Sequence, residues 1–113
     1  MTVEIWHNPR CSKSRATLAL LEEHGVEPKI VLYLDTPPSK ARLTEILGKL
    51  GMTPSAFIRR KEKIFSELDL KNAAEDALVD AMVAQPKLIE RPIVITPRGA
   101  AVGRPPEQVL TVL

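Results

Sequence analysis

The chain of 113 residues is the size of one small domain, and 44% hydrophobic and 27% charged residues are proportions typical of a globular protein. Its 16 basic and 14 acidic side chains leave a formal charge of +2, and 4% aromatic residues offer few stacking platforms, which together exclude an electrostatic nucleic-acid binder. The single cysteine, Cys11, excludes an internal disulfide and a multi-cysteine zinc site, and with two histidines we expect no bound metal.

The first third of the chain predicts a strand, a helix and a second strand. Residues 3–7 alternate weakly, as in a strand that ends at Asn8-Pro9. A helical pattern follows from Ser12 to about His24, and residues 29–34 form the most β-like run of this half. Two strands joined by one helix form a βαβ unit, so we expect them to pair in parallel.

The middle of the chain predicts a helical insertion over roughly residues 38–86. Four apolar residues at i, i+3, i+4 and i+7 mark a helix that Ser39 caps and Gly51 ends. Thr53-Pro54 is typical of the start of a short helix, and another is expected from about Glu75 to Ala84. The apolar residues of the first of these helices are Leu43, Ile46, Leu47 and Leu50.

The last part of the chain predicts two strands and a helix. Residues 92–96 form a strand, residues 97–99 a tight turn, residues 100–103 a returning strand, and a helix opens at Arg104. The complete order predicts an α/β, thioredoxin-like (glutaredoxin-like) fold over residues 1–113: one domain with a four-stranded mixed sheet, flanking helices and a helical insertion.

Cys11 stands where the first strand feeds the first helix, which is the ligand edge of such a sheet. The free N–H groups of a helix start favour a thiolate there, His7 precedes it by four residues, and Arg10 and Arg15 add positive charge. Ser14 takes the place of the second cysteine of a Cys-x-x-Cys motif, and its hydroxyl could donate to the thiolate. We interpret Cys11 as a nucleophile; the alternative is a buried structural cysteine.

Two arginines stand in settings that suit an anion site. Arg91 and Arg104 each precede a proline at the entrance to an apolar element, and a guanidinium offers a planar fork of donors to a tetrahedral oxyanion. The basic run of residues 59–61 is, by its pattern alone, typical of a solvated helix face. Thr17, six residues after Cys11, excludes the Cys-x5-Arg phosphate loop and the phosphatase architecture built on it.

Four segments carry a family signature: HNPRCSKSR at residues 7–15, YLDTPP at 33–38, ERPIVITP at 90–97 and GRPPEQVL at 103–110. In this order they resemble the glutaredoxin-coupled arsenate reductase (ArsC) family, and the likeness extends over essentially the whole chain. The resemblance implies that Cys11 is the nucleophile and that His7 and Ser14 tune its thiolate. It also implies a substrate site of three arginines, with Arg60 as an alternative to the first of them. These arginines are Arg59, Arg91 and Arg104.

The resemblance further implies an enzyme that reduces arsenate, or a similar oxyanion, to arsenite through a Cys11–arsenic adduct. Glutathione, as a co-substrate, and glutaredoxin would resolve that adduct, with no cofactor bound to the chain. The chain begins without the basic head and apolar core of an export signal and has no membrane-length apolar run, so we expect a cytoplasmic protein with no membrane contact. We also expect it to be a monomer.

Two other functions fit the same residues. One is a glutathione-linked thiol reductase or transferase that uses Cys11 on another substrate. The other is a regulator that binds RNA polymerase through the helical insertion; similar regulators carry a Cys-x-x-Cys redox switch, which Ser14 interrupts here. An arsenate reduction assay separates these alternatives.

Overall fold

The computed structural model describes residues 2–113, which divide into two compact units. The sheet unit comprises the chain up to Thr36 together with Arg91–Leu113. The helical unit is Pro37–Glu90, and the helical insertion predicted for residues 38–86 falls within it.

The sheet unit contains four strands: β1 (Glu4–Trp6), β2 (Lys29–Val31), β3 (Ile93–Thr96) and β4 (Gly99–Val102). Their order across the sheet is β2-β1-β3-β4. β1 pairs in parallel with β2 and antiparallel with β3, and β3 pairs antiparallel with β4. This confirms the predicted mixed sheet, and it places β1, the strand that leads to Cys11, in the interior of the sheet.

Helix α1 (Ser12–Glu23) connects β1 to β2 and packs on the sheet through apolar side chains. Ile5 and Val94 from the sheet, Leu21 from α1 and Val109 from the C-terminal segment share one buried core. The burial of these side chains removes apolar surface from water, and it holds α1 against the sheet. The helix ends before Gly25, whose φ of 73° is the left-handed conformation that glycine adopts readily.

Two elements of the sheet unit differ from their predictions. β2 ends at Val31 rather than at residue 34, because the Leu32 carbonyl accepts hydrogen bonds from the Asp35 and Thr36 N–H groups and closes a turn. The last segment is a 3-10 helix, Pro106–Val112, which begins two residues after the predicted start at Arg104. At its end the Thr96 hydroxyl donates to the Val112 carbonyl at 2.5 Å, which ties the terminus to the sheet.

The helical unit contains α2 (Lys40–Leu50), α3 (Pro54–Phe57), α4 (Lys63–Glu67) and α5 (Glu75–Ala84), followed by a 3-10 turn, Pro86–Leu88. The Ser39 side chain accepts from the Arg42 N–H at the start of α2, and Gly51 ends that helix with a φ of 67°.

Helix α4 of the helical unit is not predicted by the sequence. It has five residues and one buried side chain, Phe65, which gives no helical period to recognise. The unit's core is built from its buried apolar residues, among them Leu43, Ile46, Leu47, Phe57, Leu78, Met82 and Leu88.

Candidate active site

Cys11 lies at the end of a tight turn that connects β1 to α1, and it is the N-cap residue of the helix. Its N–H donates to the Asn8 carbonyl at 3.0 Å, and its own carbonyl accepts from the Arg15 N–H at 3.0 Å. The residue is 8% exposed. The thiol therefore stands at the positive end of a 12-residue helix, as the sequence predicts.

Arg104 is the residue that the tertiary structure brings to the thiol. Its Nη2 lies 3.7 Å from Cys11 Sγ, although 93 residues separate the two in sequence. Its Nε donates to the Arg91 carbonyl at 2.8 Å, which orients the guanidinium. Cys11, the Arg104 guanidinium and the Arg91 carbonyl thus meet at one edge of the sheet, and a positively charged side chain faces the sulfur atom.

Gly103, the residue before Arg104, is tightly packed, a feature that the sequence alone did not reveal. Its N–H donates to the Pro92 carbonyl at 2.9 Å. A Cβ at this position would lie 2.5 Å from Thr17 Oγ1 and 2.7 Å from Pro92 Cγ, so only glycine fits without displacement. In the sequence, the feature that could have indicated this packing is a glycine directly before Arg-Pro-Pro. In the structure, the Arg91–Pro92 and Arg104–Pro105 peptide bonds are both cis.

His7 and Ser14 form a buried hydrogen-bonded pair beside the turn. His7 Nδ1 lies 2.6 Å from Ser14 Oγ, and the Asn8 N–H donates to the same hydroxyl at 3.0 Å. Ser14 is fully buried, so these bonds satisfy polar groups that water does not reach. In this arrangement the Ser14 hydroxyl fastens the turn to α1, whereas the sequence suggested a bond to the thiolate.

The charge of His7 follows from its surroundings. Burial of the imidazole, and to a smaller extent the neighbouring Arg15 guanidinium, hold the pKa of His7 below its usual range. Arg15 Nη1 donates to the Pro9 carbonyl at 2.8 Å, so this cation lies against the turn. His7 is therefore neutral at pH 7, and the positive charges near the turn are those of arginine side chains.

A pocket of about 360 Å³ opens on the β2 side of the same turn. One wall is the turn itself, and the other is the segment that follows β2. Its lining residues are His7, Asn8, Pro9, Arg10, Leu32, Leu34 and Asp35.

Arg59 belongs to the helical unit, where acidic side chains surround it. Its Nη1 lies 2.9 Å from Glu62 Oε1, and its Nε lies 3.7 Å from Glu90 Oε1. Arg60 is exposed; its Nη2 donates to the Ser55 carbonyl, and its guanidinium lies 5.4 Å from the centre of the Phe65 ring. The two arginines considered for the third position therefore have different roles inside the helical unit.

Residues 2–113 contain neither a cluster of metal-ligating side chains nor a membrane-spanning helix. No group of three or more His, Cys, Asp or Glu side chains in that range is arranged to hold a metal ion. None of the helices in that range has the length and apolarity that crossing a bilayer requires.

The sequence of this chain is similar to those of known proteins. A sequence model of the ArsC family matches residues 6–112. The chain is 54% identical to an "uncharacterized protein YfgD" of Escherichia coli K12, covering 98% of this chain and 96% of that one. It is 48% identical to an arsenate reductase of Neisseria meningitidis serogroup A, covering 98% and 97% of the two chains.

The fold of this chain is also similar to that of solved structures. An arsenate reductase from Vibrio cholerae superposes with a TM-score of 0.96 at 50% identity, covering 100% of this chain and 98% of that one. The predicted thioredoxin-like arrangement, with its mixed sheet and flanking helices, is thereby confirmed.

Proposed function

This chain belongs to the ArsC family, and on that premise we propose that it is an arsenate reductase in which Cys11 is the nucleophile. Its substrate is arsenate or an oxyanion of the same shape and charge. The observation that carries the proposal is the meeting of Arg104 Nη2 and Cys11 Sγ at 3.7 Å. A nucleophile and an oxyanion donor at that distance can act on one tetrahedral anion.

The first half of the reaction joins sulfur to arsenic. The Cys11 thiolate attacks arsenic, an arsenate oxygen leaves as water after protonation, and a covalent Cys11–arsenic(V) adduct forms. Arg104 donates to the arsenate oxygens and stabilises the negative charge that they carry in the transition state. Arg91 contributes the carbonyl that orients Arg104 and, by the family resemblance, its own guanidinium to the oxyanion.

The second half supplies the electrons. A thiolate from solution attacks Cys11 Sγ, the sulfur–arsenic bond breaks, and its electron pair leaves with arsenic, which becomes arsenite. The two sulfur atoms are left as a mixed disulfide. Cys11 is the only cysteine in the sequence and a hydroxyl at Ser14 forms no sulfur bond, so the second thiol comes from outside the chain.

We assign the external thiol to glutathione and the reduction of the mixed disulfide to glutaredoxin, as the family resemblance implies. The same resemblance assigns Arg59 to the substrate. The reaction needs Cys11 as a free thiol, a state that the reducing cytoplasm maintains, so we propose that compartment.

Arsenate-dependent oxidation of NADPH, coupled through glutathione reductase, glutathione and glutaredoxin, tests the proposal. The wild-type chain should turn over and Cys11→Ser should be inactive. Without glutaredoxin, intact mass should show one glutathione bound to the wild type and none to Cys11→Ser. An inactive wild type that still exchanges thiols with disulfides would instead favour a glutathione-linked reductase of another substrate.

The same assay decides the third arginine. Arg59→Ala should raise the KM for arsenate, while Arg60→Ala serves as the matched control one residue away. If only Arg60→Ala is impaired, the family alignment of this segment is displaced by one residue.

A further inference from the structure

The proposed function requires a thiol from solution, and the molecule has a pocket that no step above uses. We propose that the pocket between the Asn8–Cys11 turn and the Leu32–Asp35 turn binds this second thiol, a small peptide thiol that carries both a carboxylate and an ammonium group. The inference rests on the proposed function for its reaction, and on the pocket's position and lining for its ligand.

The order of the strands places the pocket on the opposite flank of the Cys11 turn from the arginines. β1 leads into the turn and lies between β2 and β3. Arg91 and Arg104 border β3 and β4 on one flank, whereas Leu32, Leu34 and Asp35 follow β2 on the other. We call these the arginine flank and the pocket flank. Both lie at the edge of the sheet where β1 ends.

The geometry of substitution at sulfur requires the attacking thiol and the leaving arsenic to lie on opposite sides of Cys11 Sγ. Displacement at a divalent sulfur atom proceeds in line, with the attacking atom entering opposite the atom that leaves. Arsenic is the leaving atom in the second half of the proposed reaction, and the proposed function puts the arsenic oxyanion beside Arg104, whose Nη2 lies 3.7 Å from Cys11 Sγ. The attacking thiol therefore enters on the side of Sγ away from Arg104, and the strand order puts the pocket flank on that side of β1.

The pocket's lining matches a small zwitterionic thiol. The basic residue Arg10 lines the wall formed by the turn that leads to Cys11, and the acidic residue Asp35 lines the opposite wall. These charges complement a carboxylate and an ammonium group at the two ends of a ligand. A volume of about 360 Å³ lies within the ordinary range for small-molecule sites.

The apolar part of the lining is already exposed. Leu32 and Leu34 are 40% and 36% exposed, while Tyr33 between them is buried. The turn that presents them is held by the two N–H bonds to the Leu32 carbonyl, at 3.0 and 2.9 Å. A ligand's methylene groups would cover these two leucines, which removes apolar surface from water without a change in the turn.

The first experiment compares the two flanks kinetically, with glutathione as the probe. Arg10→Gln and Asp35→Asn should each raise the KM for glutathione about fivefold or more, a larger factor than the change that they cause in the KM for arsenate. Lys13→Gln and Glu27→Gln are matched controls, since both residues are exposed, lie outside the pocket and undergo the same change of charge. Equal KM values for glutathione in all four variants would overturn the pocket assignment.

The second experiment does not need arsenate and so separates the two proposals. The Cys11 thiolate attacks a sulfur atom of oxidised glutathione, forms the mixed disulfide and releases one glutathione; hydroxyethyl disulfide reacts in the same way but carries no charge. The ratio of the two rates cancels any general change in thiol reactivity. Wild type should prefer oxidised glutathione, and Arg10→Gln and Asp35→Asn should lose most of that preference.

The outcomes of this second experiment are distinct. A preference retained in both variants would refute the pocket even if arsenate is reduced normally. A preference that the variants lose, in a chain that does not reduce arsenate, would refute the proposed function and keep the pocket as a thiol site.

Discussion

The two flanks of the Cys11 turn are built in different ways. The pocket flank consists of residues 7–10 and 32–35, all within one βαβ unit. The arginine flank depends on residues about ninety positions away: Arg104 meets Cys11 across 93 residues, and its guanidinium is oriented by the Arg91 carbonyl.

This difference predicts which flank a substitution can damage. The pocket flank is closed by hydrogen bonds within its own turns, such as those to the Leu32 carbonyl and from the Cys11 N–H to the Asn8 carbonyl. The arginine flank exists only when β3 and β4 pair beside β1 and Gly103 lies against Thr17 of α1. Changes where Gly103 meets Thr17 should therefore affect the oxyanion and spare the thiol pocket.

The largest effect is expected for Arg104→Ala, which removes the donor that faces Cys11 Sγ. We expect kcat/KM for arsenate to fall about a hundredfold, the usual loss for an oxyanion donor. Arg104→Lys should recover only part of this, because an ammonium restores the charge without the fork. Steady-state kinetics with Lys87→Ala as an exposed control measures the loss. Normal kinetics in Arg104→Ala would remove this residue from the site.

Gly103→Ala should come next, because it moves Arg104 without removing it. The new methyl group would overlap Thr17 Oγ1 and Pro92 Cγ, and overpacking of this kind costs about 1–3 kcal/mol of unfolding free energy. We expect roughly tenfold lower kcat/KM for arsenate. The double variant Gly103→Ala with Thr17→Ala should regain part of both, since one of the two overlaps disappears. Urea unfolding and kinetics test this, and unchanged activity in the single variant would contradict it.

Ser14→Ala tests whether the hydrogen bonds of the Ser14 hydroxyl stabilise the turn before α1. The substitution leaves the Asn8 N–H and His7 Nδ1 without the buried hydroxyl, which should cost about 1–2 kcal/mol of unfolding free energy. Ser12→Ala, at an exposed position of the same helical turn, is the control and should change stability little. Equal stabilities for the two variants, measured by urea unfolding, would show that the hydroxyl does not fasten the turn.

The smallest effect concerns pH. The pKa of His7 is lower in the folded protein than its ordinary value of 6.5, so the unfolded chain binds a proton at a higher pH than the folded one. The contribution of His7 to stability is therefore complete above about pH 6.5 and falls as the pH drops toward the lowered pKa. Unfolding free energies between pH 8 and 5 should decline less in His7→Gln than in wild type. Parallel pH curves would contradict the shift.

Local signals in the amino-acid sequence are enough to predict the order of the elements and the location of Cys11 between a strand and a helix. The apolar spacing of Leu43–Leu50 and the cap at Ser39 are local signals, and the structure confirms helix α2 at that place. The position of Cys11 between a strand and a helix is equally local, because Asn8-Pro9 stops the one and the following pattern starts the other. Short-range periodicity and turn chemistry suffice for such features.

The surroundings of Cys11 depend on contacts that form when the chain folds. No local pattern indicates that Gly103 must lack a Cβ because Thr17 and Pro92 fill that space, or that the Ser14 hydroxyl bonds to His7. It also predicted a longer β2, whereas the turn after Val31 exposes Leu32 and Leu34 to form the pocket. These features depend on contacts between segments distant in the chain, or on the choice between competing backbone hydrogen bonds. Packing of the folded chain settles both, and local residue patterns do not.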